Sequence, residues 1–156
     1  MMTVSFDAGG LVQKLKGSQA EIRRQIGQLL GYAGRVAVSR QREIQAPQSY
    51  MDQSGNLRSS VGFVVMSDGA EVSLGGFEPK QGGNPKIDSL TPEQAAEVGK
   101  GSAKAEGARQ PSYPTLTVVA GMNYASYVEA KGRDVLSTAK IVAEEIVRQG
   151  LEDLAR

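Results

Sequence analysis

The chain has 156 residues, a length typical of one domain with a modest core. It contains no cysteine and no histidine, which excludes disulfides and thiolate chemistry and removes the commonest general base and metal ligand. The net charge of +1 argues against nucleic-acid binding by bulk charge, although residues 1–50 carry seven Lys or Arg and three Asp or Glu whereas residues 51–156 carry eleven and fourteen.

Residues 1–17 are predicted to be an N-terminal arm. Residues 3–7 alternate polar and apolar side chains, a pattern that fits either a strand or a loose arm, before Gly9 and Gly10 break it. No apolar run resembles a signal peptide or reaches the roughly 20 residues of a membrane helix, so we expect a soluble protein made in the cytoplasm.

A long amphipathic helix is predicted from Ser18, a suitable N-cap with Glu21 at the capping-box spacing. Apolar residues recur at steps of three and four and fall on one face at about 100° per residue; they are Ile22, Ile26, Leu29, Leu30, Ala33, Val36, Ala37 and Ile44. Three glycines within this helix each weaken it by about 1 kcal/mol relative to alanine, which indicates close packing or support from tertiary contacts. Pro47 is expected to end it.

The middle of the chain predicts a hairpin and then an insertion. Residues 48–60 are typical of turns, and residues 61–66 and 71–74 are predicted strands joined by the turn Ser67-Asp68-Gly69. Residues 75–114 are predicted to be an extended loop insertion rich in glycine and proline, interrupted by a short helix over 92–97 that Thr91 caps.

The last third predicts a strand over residues 115–120 that pairs with the hairpin, a short aromatic segment over 123–129, and a closing helix that Asp134 caps. The predicted buried side of that helix consists of Val135, Leu136, Ala139, Val142, Ala143, Ile146 and Val147, and Gly150 is expected to fray its end. The fold class is therefore α+β, with residues 1–156 as a single domain.

Four groups of residues were weighed as chemical sites. Asp52-Gln53-Ser54-Gly55 fits a turn better than an aspartic-protease motif. Gly99-Lys100-Gly101-Ser102 lacks the spacing of a phosphate loop and fits a solvated loop. Glu144 and Glu145 point about 100° apart on a helix and fit surface charge, and Ser59 and Ser60 have no histidine to activate them. We therefore predict no catalytic, cofactor-binding or metal-binding residue, and no enzyme.

Arg24, Arg35 and Arg42 fall within about 20° of one another on the face of the first helix opposite its apolar side. The plain interpretation is a solvated helix face. The sharper hypothesis is that these arginines line a channel and contact DNA phosphates without reading sequence.

Two segments together resemble the minor tail-component family of long-tailed bacteriophages, also called head–tail joining or neck proteins. The first is Ser54-Gly55-Asn56-Leu57-Arg58-Ser59-Ser60-Val61, and the second is Tyr124-Ala125-Ser126-Tyr127-Val128-Glu129-Ala130-Lys131-Gly132. The resemblance covers roughly residues 18–156. The sequence departs from the family at Gln53, where the family has Asp, and at 133–136, where the family has a proline–aromatic segment; its 75–114 excursion is also longer.

The residues of these two motifs suit structural work. Gly55 can adopt a backbone conformation barred to other residues, Asn56 suits a turn, and Leu57 can anchor that turn to the core. Tyr124 and Tyr127 fit either an interface or core packing. We expect Glu129 to accept hydrogen bonds from Arg58 and so tie the two motifs together; Ser60, Ala125 and Gly132 complete the motif set.

The resemblance implies a structural virion protein at the head–tail junction, acting in tail completion or head–tail joining as one subunit of a ring. Its expected partners are further copies of itself, other connector and tail proteins, and DNA in the lumen, with no membrane. Two alternatives remain open at this point: a nucleic-acid-associated protein using the basic helix face, and a carboxylate-dependent hydrolase.

Overall fold

The computed structural model describes residues 1–7, 18–44, 49 and 51–156, except the side chains of residues 6 and 7. Along the chain, its elements are β1 (Met2–Asp7), α1 (Gln19–Glu43), α2 (Asn56–Ser59), β2 (Val61–Ser67), β3 (Ala70–Gly76), α3 (Pro92–Gly107), β4 (Thr115–Ala120), α4 (Ala125–Ala130) and α5 (Ser137–Leu154). The α+β class predicted from sequence is confirmed.

The four strands form one antiparallel sheet in the order β1-β4-β2-β3. The predicted hairpin is present, and Asp68 and Gly69 both have positive φ, which gives the two-residue turn the twist that a hairpin requires. Strand β4 pairs with β2, as expected, and places β1 on the far edge.

Helices cover both faces of the sheet. On one face, α1 packs over side chains such as Phe63, Val65 and Val118, and α5 packs against α1 as part of the same core. On the other face, α3 packs over a smaller cluster that includes Val64 and Val119. Because successive strand residues point to opposite faces and helices cover both, β2 and β4 are buried along nearly their whole length.

The glycines of α1 allow the close approach that their number indicated. A Cβ at Gly34 would lie 2.5 Å from Phe63 Cδ2, and a Cβ at Gly75 of β3 would lie 2.6 Å from Phe63 Cε1. The Phe63 ring is therefore held in a slot between two glycines, and α1 lies directly on the sheet.

The sequence left residues 3–7 open between a strand and a loose arm, and the structure shows strand β1 over Met2–Asp7, paired with β4. Residues 8–17 lie outside the described residues. The extent of the predicted loop was wrong. The predicted loop at 75–114 contains the last residues of β3 and the whole of α3, which continues ten residues past the expected end at 97. Its alanines and glycines pack against the sheet, and that burial offsets their weak local preference.

Helix ends follow the predicted caps with one exception. Ser18 accepts a hydrogen bond from the Glu21 backbone N–H, and Thr91 and Gln94 form a capping box with Pro92 in the first turn. Asp134 accepts from the Thr138 N–H, although α5 begins at Ser137. Gly150 does not fray α5, because α5 packs closely against α1 at this point. A Cβ at Gly150 would collide with Leu29 of α1.

Candidate interaction site

The two motif segments meet at one end of the sheet. The first leads into β2 and the second follows β4, and these strands are antiparallel neighbours. The Gly121 N–H after β4 donates to the carbonyl oxygen of Ser60 at 3.2 Å and to its Oγ at 3.1 Å. The end of the first motif is thus bonded to the chain just before the second.

Asp52 supplies the local hydrogen bonds that organise the first motif. Its Oδ1 accepts from the Gly55 N–H at 3.1 Å, and its Oδ2 accepts from the Arg58 N–H at 2.8 Å. Gly55 has a φ of +84°, as predicted, and a Cβ there would meet the Lys80 carbonyl oxygen at 2.5 Å. The segment predicted as a polar turn is in fact buried from Ser54 onward, and it contains helix α2.

Arg58 holds the C-terminal end of α1. Its side chain is only 2% exposed, and its guanidinium donates to the carbonyl oxygens of Arg42 at 3.0 Å and Ile44 at 2.7 Å. Arg42 in turn donates to the Arg58 carbonyl oxygen at 2.8 Å. A helix leaves its last four carbonyl groups without helical partners, and a cation there also interacts favourably with the helix dipole. Arg58 therefore caps carbonyl groups at the end of α1 and links them to α2, whereas Pro47, the residue expected to end α1, lies outside the described residues.

Glu129 does the corresponding work in the second motif. Its carboxylate accepts hydrogen bonds from the backbone N–H groups of Val135 and Leu136 and from the Ser137 hydroxyl. The expected Glu129–Arg58 hydrogen bond is therefore wrong: Glu129 is used to shape the entry to α5. Gly132 has a φ of +78°, which allows the tight turn between α4 and that entry.

The remaining motif side chains divide between core and surface. Leu57 and Ala125 are buried, and Asn56 is buried with its Nδ2 donating to the Leu90 carbonyl oxygen at 2.8 Å. Tyr127 is 65% exposed, with the Lys131 ammonium 5.1 Å from its ring centroid. Core packing is therefore excluded for Tyr127, whereas Tyr124 is half-buried.

Tyr124 lies beside two carboxylates. Burial, together with the negative charges of Asp88 and Asp52, raises the pKa of Tyr124 to about 12. Burial also raises the pKa of Asp88, but hydrogen bonds from Asn56, from the backbone of residues 89 and 90 and from Tyr124 outweigh it, so that pKa lies below its ordinary value. Asp88 thus accepts hydrogen bonds as a carboxylate while Tyr124 stays protonated and donates.

Two adjoining cavities open at this end of the sheet, with volumes of about 220 and 520 Å³. They share Ile87, Asp88 and Tyr124, and we call them together the motif-end groove. Large apolar side chains stand exposed around it: Met51 is 75% exposed, Ile87 53% and Val98 41%. Exposed apolar side chains therefore stand beside polar groups in one groove, which suits contact with another protein.

The three arginines of α1 differ in their surroundings. Arg24 is exposed and forms an ion pair with Glu21 at 2.6 Å. Arg42 is partly buried and donates to the carbonyl oxygens of Arg58 and Glu78. Arg35 is exposed beside a third cavity of about 500 Å³ between α1 and β3. The structure therefore does not present them as one uniform row.

The remaining groups that were candidates for chemistry lie in helices or at helix ends. Ser59 and Ser60 are fully buried, and their hydroxyls donate to the carbonyl oxygens of Gly55 and Leu57. Gly99-Lys100-Gly101-Ser102 lies within α3, so its interpretation as a loop was wrong. Glu144 and Glu145 are exposed on α5, as expected.

Two features are absent from the described part of the chain. Residues 1–7, 18–44, 49 and 51–156 contain no group of three or more carboxylate side chains placed to hold a metal ion. Within those same ranges, no helix combines the length and apolar character needed to cross a bilayer.

Sequence reasoning missed two polar residues that position this end of the molecule. Asp88 lay in the supposed loop and gave no signal. Gln41 is 2% exposed, accepts from the Ala139 N–H at 2.8 Å and donates to Asp134 at 3.1 Å. Its place on the apolar side of the predicted helix was a usable signal, because a buried polar side chain needs a partner.

Comparison with protein-family models, with curated proteins and with solved structures found no match to the chain.

Proposed function

We propose that this chain is a structural subunit of the head–tail connector of a long-tailed bacteriophage or prophage. In this proposal it is made in the host cytoplasm, assembles as a ring, and acts in tail completion or head–tail joining. The basis is the resemblance of residues 54–61 and 124–132 to the neck-protein family. One observation carries it: both segments lie at one end of the sheet, and their polar groups are used to hold backbone in place.

The motif-end groove is the proposed contact with the next connector or tail protein. The two motifs contribute Ser54, Leu57 and Tyr124 to its lining, so the motifs shape the proposed docking surface. Exposed Met51 and Ile87 at the rim supply apolar surface that a partner would bury, at about 25 cal/mol per Å².

A virion-level experiment tests the proposal. Antibody or mass-spectrometric detection in purified particles should find the protein at the head–tail junction, and loss of the gene should leave unjoined heads and tails. Detection only in the host cytoplasm, with normal particles formed in its absence, contradicts the proposal.

Point variants test the groove itself. Met51→Asp and Ile87→Asp should leave the chain folded but fail to restore head–tail joining in a strain lacking the gene. Ile141→Asp is the matched control, because Ile141 is 64% exposed on α5 and lines neither cavity. Equal rescue by all three variants would show that the groove is not the contact.

The alternative is a nucleic-acid-associated protein that uses the basic face of α1. It receives less support, because Arg24 is paired with Glu21 and Arg42 donates to backbone carbonyl groups. A salt-dependent DNA-binding measurement separates the two functions. Tight binding by the monomer that weakens as salt rises and is lost in Arg24→Gln/Arg35→Gln would favour the alternative.

A further inference from the structure

We propose that copies of this chain join edge to edge, with β1 of one copy pairing with β3 of the next to continue the antiparallel sheet. The inference deepens the proposed function, since it names the surface through which a ring would form. It rests on the two open edges of the sheet. Among the described strands, β1 is bonded only to β4, and β3 is bonded only to β2.

Both edges lack the usual protection against pairing. Native edge strands are commonly blocked by lysine or proline, yet Met2–Asp7 and Ala70–Gly76 contain neither. The strands are of similar length, six and seven residues, so one can cover the other. The irregularities are the bulge opposite Val65 and Met66, at the hairpin end of β3, and a φ of +80° at Gly76, at its other end.

The backbone groups that face outward follow from the hydrogen bonds inside the sheet. Phe77 N–H donates to the Val61 carbonyl, and bonded and non-bonded pairs alternate along an antiparallel ladder. Gly76 and Leu74 therefore direct their N–H and C=O groups away from β2. The hydrogen bond between Gly121 and Ser60 fixes the alternation between β4 and β2 in the same way. Carried across β4 to β1, this alternation leaves the N–H and C=O groups of Thr3 and Ser5 facing outward from β1.

These outward groups are complementary between copies. In the strand order β1-β4-β2-β3, β1 and β3 run in opposite directions, so a repeated sheet brings them together antiparallel. Thr3 then pairs with Gly76 of the next copy, and Ser5 pairs with Leu74. The faces agree as well: Ser5 bonds to Thr117 on the α3 face of the sheet, and Leu74 packs against the cluster on that face.

Such a contact joins two different surfaces, so it repeats from copy to copy and closes into a ring when the rotation allows. Pairing of two β3 edges would instead be symmetric and stop at a dimer. The edge lengths, directions and outward groups of β1 and β3 favour the repeating contact.

Engineered cysteines give a direct test, because the natural chain has none. Ser5→Cys and Leu74→Cys in one chain lie three strand spacings apart, about 14 Å, too far for an internal disulfide. In the proposed contact their Cα atoms are about 5.5 Å apart, within disulfide range. Mild oxidation of the purified double variant, over rising protein concentration, should therefore give a ladder of covalent oligomers beyond the dimer.

Three controls make the outcome decisive. Each single variant should give at most a dimer, and a Ser5→Cys/Ile141→Cys pair should give no ladder, since Ile141 is exposed on α5. Circular dichroism of the reduced variants checks that they fold. A dimer from Leu74→Cys alone, as efficient as the double variant, would identify the β3–β3 contact and overturn the proposal, as would an absence of cross-links.

The experiment separates this inference from the proposed function. If light scattering shows a ring while the double variant does not cross-link, the edge contact is wrong and the connector proposal stands. If the ladder forms but the protein is missing from virions, the edge contact stands and the connector proposal fails.

Discussion

Replacement of Arg58 by methionine should destabilise the chain strongly. Methionine keeps much of the apolar stem, so the main loss is the pair of hydrogen bonds to the Arg42 and Ile44 carbonyl groups at the end of α1. Leaving carbonyl groups unpaired costs about 1–3 kcal/mol each, and a cation at a helix C-terminus adds about 0.3–1 kcal/mol. The two carbonyl groups and the lost helix-dipole interaction together come to about 2–7 kcal/mol, so we expect the free energy of unfolding to fall by at least about 2 kcal/mol, a large part of a typical total of about 5–15 kcal/mol.

The measurement is urea unfolding followed by circular dichroism, with the slope against urea compared between variants. Arg35→Met is the matched control, because Arg35 is exposed on the same helix; it should change stability by no more than about 0.5 kcal/mol. A loss below about 1 kcal/mol for Arg58→Met would refute the assignment of Arg58 as the cap of the last α1 carbonyl groups.

Three further predictions follow from single contacts. Gly99→Ala should destabilise the chain by about 1–3 kcal/mol, because the new Cβ would press on the Ser60 carbonyl oxygen. Gly101→Ala in the same helix meets open space and should stabilise the chain by up to about 1 kcal/mol. Thermal unfolding of both variants measures the two changes. Glu129→Gln should cost about 1–3 kcal/mol at neutral pH, since an amide presents donors where the carboxylate accepts three hydrogen bonds; an unchanged urea midpoint would contradict it. In an alkaline absorbance titration, the part of the signal that the wild type shows and Tyr124→Phe lacks reports the ionisation of Tyr124. That part should be less than half complete at pH 11, because burial and neighbouring carboxylates raise the pKa of Tyr124 to about 12. A difference centred near pH 10 would exclude the half-buried position of Tyr124.

The pKa of Tyr124 also sets a direction for stability at high pH. An unfolded tyrosine releases its proton near pH 10, whereas the folded one holds it to about 12. The contribution is therefore fully present below pH 10 and is lost as pH rises toward 12. Tyr124→Phe should remove this part of the alkaline destabilisation.

Local pattern predicted the elements whose signal lies in their own sequence. Period 3.6 located α1, alternation and Asp68-Gly69 located the hairpin, and Thr91-Pro92 located the first turn of α3. The unusual backbone conformation of Gly55 was also predictable, because few residues other than glycine adopt positive φ. These features depend on neighbours in sequence and on backbone sterics.

Partners distant in sequence could not be predicted in this way. Glu129 was expected to bond to Arg58, yet each side chain finds backbone groups elsewhere: those before α5 for Glu129, and those ending α1 for Arg58. Both choices satisfy orphan N–H or C=O groups at helix ends. Which orphan group lies within reach is set by the packing of helices on the sheet, and one sequence contains no record of it.

The amino-acid sequence alone determined the α+β class, the main helix and strands, and the residue types that exclude thiolate and histidine chemistry. Only the tertiary structure decided that the glycines at 34, 99 and 150 are points of close contact and that the supposed loop holds a helix. The physical reason is that a glycine weakens a helix locally by about 1 kcal/mol, whereas the apolar surface buried by the close approach it allows contributes more, and that surface exists only once the chain has folded.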